Sequence, residues 1–409
     1  VNRPPEHLLL ASFNFVEGAE PRQAIEALRG VVQHELESRL DPENQDKTIP
    51  SAETGELGFK SGYDRAHLTI TLGLAESGVA KLALPEPPAD LRTIPWADLV
   101  DSPPADVGGD LVLQICADNL YICEHVVRRV EEELGEKLSL NTAFIGSQRY
   151  NSRPGRTSRR EGRALIGFLD GTSNLDPRNS EADAELVFVN PKQMNYPKNP
   201  DPGTLPGPNP YETKVEDQPP VFPELHPVPE KEPEWTEDGT YMTVRVSTFN
   251  TKNWDKISQE DQEHTVGRFK VSGASLDLSD DPALLEAEPA FRDDKTNTAV
   301  PIKAHIRKAN PRGPGDDERR IFRRGYPLIG PGVGELQRGL IFIAFGRSIT
   351  TQFEFIVRAW MRNTNFPSPG AEVDPLFAKI DETILGGGYY FVPPLEKKTE
   401  PWSWTLPSA

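Results

Sequence analysis

Cysteine is nearly missing from this chain. There are two in 409 residues, Cys116 and Cys123, which excludes a disulfide framework and a cysteine-rich zinc site. Both read as core thiols. No run of about 18 apolar residues occurs, so no membrane-spanning helix is expected. Positive charge is short too: 63 Asp+Glu face 45 Lys+Arg, a formal charge of −18. That balance disfavours nucleic acid as a partner, since a phosphate binder needs a basic footprint. There is also no P-loop, no G-x-G-x-x-G after a strand, no G-x-S-x-G and no H-E-x-x-H. These absences remove most common enzyme classes without removing enzymes.

With 36% hydrophobic and 26% charged residues, the chain can bury a sizeable core. Its length suggests two or three domains at roughly 100–200 residues each. Apolar alternation predicts strands at residues 7–16, 67–75, 110–117 and 142–150. Helical spacing predicts helices at 21–40, 77–84 and 119–134. The second half repeats the order loosely, with strands at 163–169, 241–248, 339–345 and 389–392. Helices are expected at 258–266 and 349–361, the latter turning Phe353, Ile356, Val357 and Trp360 inward. The reading is α+β: two ferredoxin-like domains, 1–155 and 156–409, divided near residues 151–160.

Proline is in excess, 40 residues, about twice the average share. Thirteen fall between Asn190 and Thr236. A stretch so poor in ladder donors is extended and reads as a surface excursion inserted in the second domain. The opening Val1-Asn2-Arg3-Pro4-Pro5 lacks a basic region followed by an apolar one, so the chain reads as cytoplasmic, or as a mature secreted form.

Two segments carry chemistry. In Gly167-Phe168-Leu169-Asp170-Gly171, a carboxylate lies between glycines after an apolar run, which suits an Asx-type turn or an acid held in a site. Further on, His305 heads H-I-R-K-A-N-P-R, and Arg307, Arg312, Arg319, Arg320, Arg323 and Arg324 crowd the residues that follow. In an acidic protein this is either a solvated basic face or an anion site beside a metal-binding histidine.

Taken together these segments resemble the dye-decolorising peroxidase family, and its longer, more elaborate members in particular. The resemblance rests on G-x-x-D-G at 167–171, H-I-R-x-A-N-P-R at 305–312 and R-R-G-Y at 323–326. GLIFIAF at 339–345, QFEFI at 352–356, NTNFP at 363–367 and YYFVPP at 389–394 add to it. It spans roughly residues 8–394. The family is built from two ferredoxin-like domains of the dimeric α+β barrel superfamily, in agreement with the pattern above.

The resemblance implies a haem peroxidase with one haem b per chain. It would reduce hydrogen peroxide through a high-valent iron-oxo intermediate and oxidise dyes and phenolic or other small aromatic donors, with Mn2+ as a further candidate. His305 would be the proximal ligand of the iron. Asp374 best matches the acidic partner of that histidine, with Asp381 as fallback. Asp170 would be the distal acid/base and Arg323 the distal arginine. Leu340 and Phe342 would line the distal pocket, and Gly171 and Arg307 would add cofactor contacts. Trp360 and Tyr326 are candidate relays of electrons to the surface, Trp360 being equally a core aromatic. The chemistry is coherent, because splitting peroxide needs one group that accepts and returns a proton and one fixed positive charge near the departing oxygen.

The rival reading is a haem-binding or haem-processing, deferrochelatase-like protein with incidental peroxidase activity. A two-domain binding module without cofactor is a third. The other histidines lack ligand spacing: His34 and His125 fall in helices, His67 in a strand and His264 in a helix, while His7 and His226 read as solvated. The acidic stretch 277–294 could take a hard cation such as Mn2+, although a solvated loop is the simpler account. Oligomeric state is not written in the sequence.

Overall fold

The computed structural model describes residues 4–37, 67–104, 108–148, 162–194, 196–199, 223–291, 298–313, 315–331, 336–367, 371–395 and 406–407. Strand β1 (His7–Phe15) is buried on both faces. Its period of two sends Leu8 and Leu10 into one apolar cluster and Leu9, Ala11 and Phe13 into another. With β2 (Thr69–Leu74), β3 (Leu111–Ala117) and β4 (Leu138–Ser147) it forms an antiparallel sheet in the order β2-β3-β1-β4. The helices Pro21–Glu37 and Leu120–Leu134 bury their apolar sides over the Leu9–Phe13 face. Pro21 stands at the start of the first, where its missing N–H costs nothing. Asn119 caps the second by accepting from the Tyr121 N–H at 3.0 Å.

The second sheet repeats this order. It contains β5 (Thr240–Thr248), β7 (Tyr326–Pro331), β8 (Leu336–Gly346) and β9 (Thr383–Val392), arranged β9-β5-β8-β7 and antiparallel throughout. The short β6 (Phe322–Arg323) pairs with β8 in the same register as β7, so the two are one strand interrupted at Arg324-Gly325. The sheets meet edge to edge through one residue pair on each side, Leu74 with Phe391 and Gly146 with Leu328. The result is a ring of strands whose interior is filled from both sheets by Leu8, Leu10, Val112, Met242, Ile341 and Ile343.

Outside the second sheet lies a wide, π-wound helix, Ile349–Met361, in which every residue but Arg358 is buried. Ser348 caps it, its hydroxyl accepting from the Thr351 N–H at 3.1 Å. Phe353, Ile356, Val357 and Trp360 are all buried, as their spacing predicts.

Several expectations are corrected. Residues 163–169 are not a strand. Arg163 and Leu169 make an isolated bridge, and Gly167 at φ 91° turns the chain back. The apolar side chains there, Ile166 and Phe168, bury against Trp254, Val266 and Leu376 rather than in a sheet. The strand β7 escapes the sequence reading because Pro327 and Pro331 argue against a strand, a penalty that is tolerated at an edge.

His67 precedes β2 instead of lying in it, with positive φ and its Nδ1 2.7 Å from Asp118 Oδ2. His226 is not simply solvated, since its Nδ1 lies 2.8 Å from Glu354 Oε2. His7 likewise meets Ser147 Oγ at 2.9 Å. The middle of the proline-rich stretch and the division expected at 151–160 lie outside the described residues. The described flank 223–236 is no plain surface wrap: Glu232 and Thr236 are fully buried, and Trp235 Nε1 donates to the Glu86 carbonyl at 2.8 Å. Cys116 and Cys123 are buried and not disulfide-bonded, as expected.

Candidate active site

His305 opens the short helix His305–Ala309, with about 29% of its side chain exposed. Its Nδ1 donates to Asp374 Oδ2 at 2.7 Å. Asp374 is buried and held in turn, its Oδ1 accepting from the Leu376 N–H at 2.9 Å while its own N–H donates to the Met361 carbonyl at 2.8 Å. Asp381 is elsewhere, 3.5 Å from Asn250 Nδ2. Of the two carboxylates expected for this place, the structure puts Asp374 there.

Lys308 of the helix itself, with the half-buried Phe377 and Arg245, holds it in position. Lys308 is fully buried and its Nζ donates to the Asn363 and Phe366 carbonyls at 2.8 and 2.5 Å. Burial pulls its ammonium down to about 8, with the Asp374 charge opposing. Phe377 packs edge-on to the His305 ring at 6.0 Å. Arg245 of β5 lies 4.9 Å over the Phe377 ring and pairs with Glu382.

The second group of residues is anchored on β6. Arg323 pairs with Ala344 of β8, on the face that also presents Leu340 and Phe342, both half-buried. Phe342 packs on Phe353 at 5.9 Å. Asn174 holds the Arg323 backbone from both sides: its Nδ2 donates to the Arg323 carbonyl at 2.8 Å and its Oδ1 accepts from the Arg323 N–H at 2.9 Å. The guanidinium donates from Nη2 to the Thr172 carbonyl at 2.6 Å, leaving Nε buried without a partner.

Asp170 lies in the turn that follows Leu169. Its N–H donates to the Gly162 carbonyl at 3.0 Å and its Oδ1 accepts from the Gly171 N–H at 2.7 Å. Burial lowers the Arg323 pKa, the Asp170 charge counters it, and Arg312 and Arg320 add to the lowering. Asp170 and Arg323 together line a cavity of about 480 Å3. Gly171 lines it as well, at φ 79° and with open space where a Cβ would stand.

The donor set suits a haem. His305 Nε2 takes no hydrogen-bond partner among the described residues, which leaves it free for iron. Cations crowd nearby as well: burial, with the charges of Arg312 and Arg323, brings Arg268 down to about 10. Such a surplus of guanidinium is suited to two cofactor carboxylates.

Arg307, expected to add a cofactor contact, is fully buried with its guanidinium 4.8 Å over the Phe291 ring. Neither expected relay is a surface residue. Trp360 stacks on Phe366 at 5.9 Å, and Tyr326 is fully buried, its hydroxyl donating to the Pro5 carbonyl at 3.0 Å. The acidic stretch spends Asp277 on the Ala290 N–H and Asp281 on the Ala283 N–H, and no metal-binding cluster occurs among the described residues. Asn174, Arg245, Arg268 and Phe377 were not singled out from the sequence. Asn174 alone carried a signal, standing next to G-x-x-D-G; the other three are brought in by the fold.

Comparison with known proteins gives a consistent picture. Residues 12–146 match the profile "Dyp-type peroxidase, N-terminal" and residues 208–397 match "Dyp-type peroxidase, C-terminal". Deferrochelatase from Escherichia coli (strain K12) is 26% identical over 364 residues, covering 86% of this chain and 71% of that protein. Two solved structures share the fold. A DyP-type peroxidase from Cellulomonas bogoriensis superposes with TM-score 0.67 at 24% identity, over 96% of this chain and 91% of its own. An oxyferrous complex of DtpA from Streptomyces lividans gives TM-score 0.70 at 20% identity, over 99% and 93%.

Proposed function

The chain belongs to the Dyp-type peroxidase family, and on that footing we propose that it is a haem b peroxidase, one haem per chain, which reduces hydrogen peroxide and oxidises dyes or small phenolic donors. Haem, when bound, supplies the iron that cleaves the O–O bond and stores the oxidising equivalents. His305 would hold it through Nε2, with Asp374 orienting the ring and increasing its donor strength. Asp170 would take the proton from the inner oxygen of peroxide and return it to the outer one. Arg323 would hold a fixed positive charge beside the departing oxygen. Leu340 and Phe342 would keep that side apolar, Gly171 would let peroxide approach the carboxylate, and Asn174 would hold Arg323 in place. Trp360 and Tyr326, both interior, would pass electrons within the protein rather than deliver them at its surface. Two buried thiols outside any disulfide suit a cytoplasmic setting.

The observation that carries this reading is the convergence of Asp170 and Arg323 on one cavity while His305 is held by Asp374. Asp170→Asn and Arg323→Ala should each cost about 100-fold or more in peroxide turnover while haem absorbance persists. Turnover that survives both changes would overturn the assignment. The relatives named deferrochelatase keep a haem-processing role in view. That role requires His305 and Asp374 but not the Asp170–Arg323 pair, and the same two variants separate the readings.

A further inference from the structure

Arg323 and Arg324 are neighbours in sequence and face opposite sides of the sheet. Arg323 pairs with Ala344, on the outer face with Leu340 and Phe342. The Arg324 N–H donates to the Ile343 carbonyl at 2.7 Å, continuing the register, and Ile343 points into the ring. Arg324 therefore enters the mouth of the ring, where it lines the 480 Å3 cavity that Asp170 and Arg323 also reach. Cys116, inside the ring, agrees: burial pushes its thiol up and the Arg324 charge pulls against it.

Among the charged groups lining this cavity, the acids are engaged. Asp170 accepts from the Gly171 N–H, Asp176 from Asn179 Nδ2 at 2.9 Å and Glu286 from the Ser173 N–H at 3.0 Å. Arg323 donates to Thr172. The Arg324 guanidinium has no hydrogen-bond or ion-pair partner among the described residues, and its Nε is buried. Around it the walls are apolar, formed by Phe322, Phe345, Leu175, Val187 and the Tyr326 ring. This half-buried guanidinium, 6.0 Å over the Phe322 ring, is open to an acceptor from a ligand, and a carboxylate matches its planar fork. The volume exceeds that of a single ring and the walls suit an aromatic face.

We propose that the mouth of the ring is the donor site and that it selects single-ring aromatic carboxylates, with Arg324 anchoring the carboxylate and the ring lying between Phe322 and Leu175, beside Asp170 and Arg323. This rests on the peroxidase reading for its role, although the binding itself does not. The probe is 4-hydroxybenzoate, titrated calorimetrically into the holoprotein, with 4-hydroxybenzamide as its neutral counterpart. The acid should bind about tenfold or more tightly than the amide, and Arg324→Gln should bring that ratio close to one. Arg324→Lys, which keeps the charge and loses the fork, should leave an intermediate ratio and serves if the glutamine variant does not fold. Equal affinity for acid and amide in the wild type, or a ratio unchanged by both substitutions, overturns the proposal. Oxidation of the neutral phenol guaiacol by the wild type tests the peroxidase reading separately. If guaiacol is oxidised but the ratio is one, the donor site falls and the enzyme stands; the reverse pattern leaves an aromatic acid site without the proposed chemistry.

Discussion

Asp374 accepts the Nδ1 proton of His305 at 2.7 Å, from a carboxylate whose other oxygen is already committed to the Leu376 N–H. The histidine cannot turn without breaking a buried, charge-assisted bond. Asp374→Asn keeps the shape and removes the charge. Outer partners of this kind are worth about 10–100-fold in metal affinity or activity. The expected result is a haem dissociation constant raised within that range, read by titrating haem and following its Soret band.

Asn174 offers a second test, because it touches Arg323 only through the main chain. Asn174→Ala removes two hydrogen bonds at about 1 kcal/mol each, and the melting temperature should fall accordingly. As a positioning residue it should also lower kcat/KM for peroxide, by about tenfold, because a small displacement of a catalytic charge is expensive. The arginine is retained, so a stopped-flow peroxide titration should show slower reaction rather than none. A variant that melts lower but reacts at the wild-type rate would limit Asn174 to stability.

Glu232 should make stability depend on pH. It is fully buried, accepting from Tyr241 Oη at 2.6 Å and from the Ala89 N–H at 2.9 Å. Burial raises its pKa from 4.5 to about 7. The folded chain thus binds this proton more tightly than the unfolded one. The contribution is complete below about 4.5 and is lost as pH rises towards 7. At about 1.4 kcal/mol per pH unit, its full size is on the order of 3 kcal/mol. Glu232→Gln should flatten the fall in unfolding free energy between pH 5 and 7, measured by urea titration at each pH.

For Trp360, packed between Phe355 at 5.2 Å and Phe366 at 5.9 Å, Trp360→Phe preserves most of the packing. If the indole passes electrons, turnover of a bulky dye should fall several-fold relative to that of a small phenol. The peroxide-induced tryptophan radical signal should vanish from the electron resonance spectrum.

The sequence makes individual elements readable and leaves their relations hidden. β1, β3 and β5 declare themselves because alternation and burial coincide over seven or more residues. Residues 163–169 mislead because an apolar run has the same composition whether it pairs or folds back at a glycine. His305 and Asp170 sit in compact local motifs and can be found by inspection. The opposite facing of Arg323 and Arg324 depends on which strand lies beside them, and that is settled only when β8 is in place. Arg307 lies two residues from His305 in sequence, and the fold sets its guanidinium against Phe291 in the core.

Two strand pairs join the halves of the ring, Leu74 to Phe391 and Gly146 to Leu328. A closed barrel normally abolishes edges. This one retains four, on β2, β4, β7 and β9, held together by side chains across the interior far more than by a backbone ladder. Cooperative unfolding is then not imposed by hydrogen bonding. Amides facing the two seams should exchange with deuterium well before those between β1 and β3, and each half can flex as its own plate. The cavity at the mouth, walled by both plates, can change width without any ladder being broken.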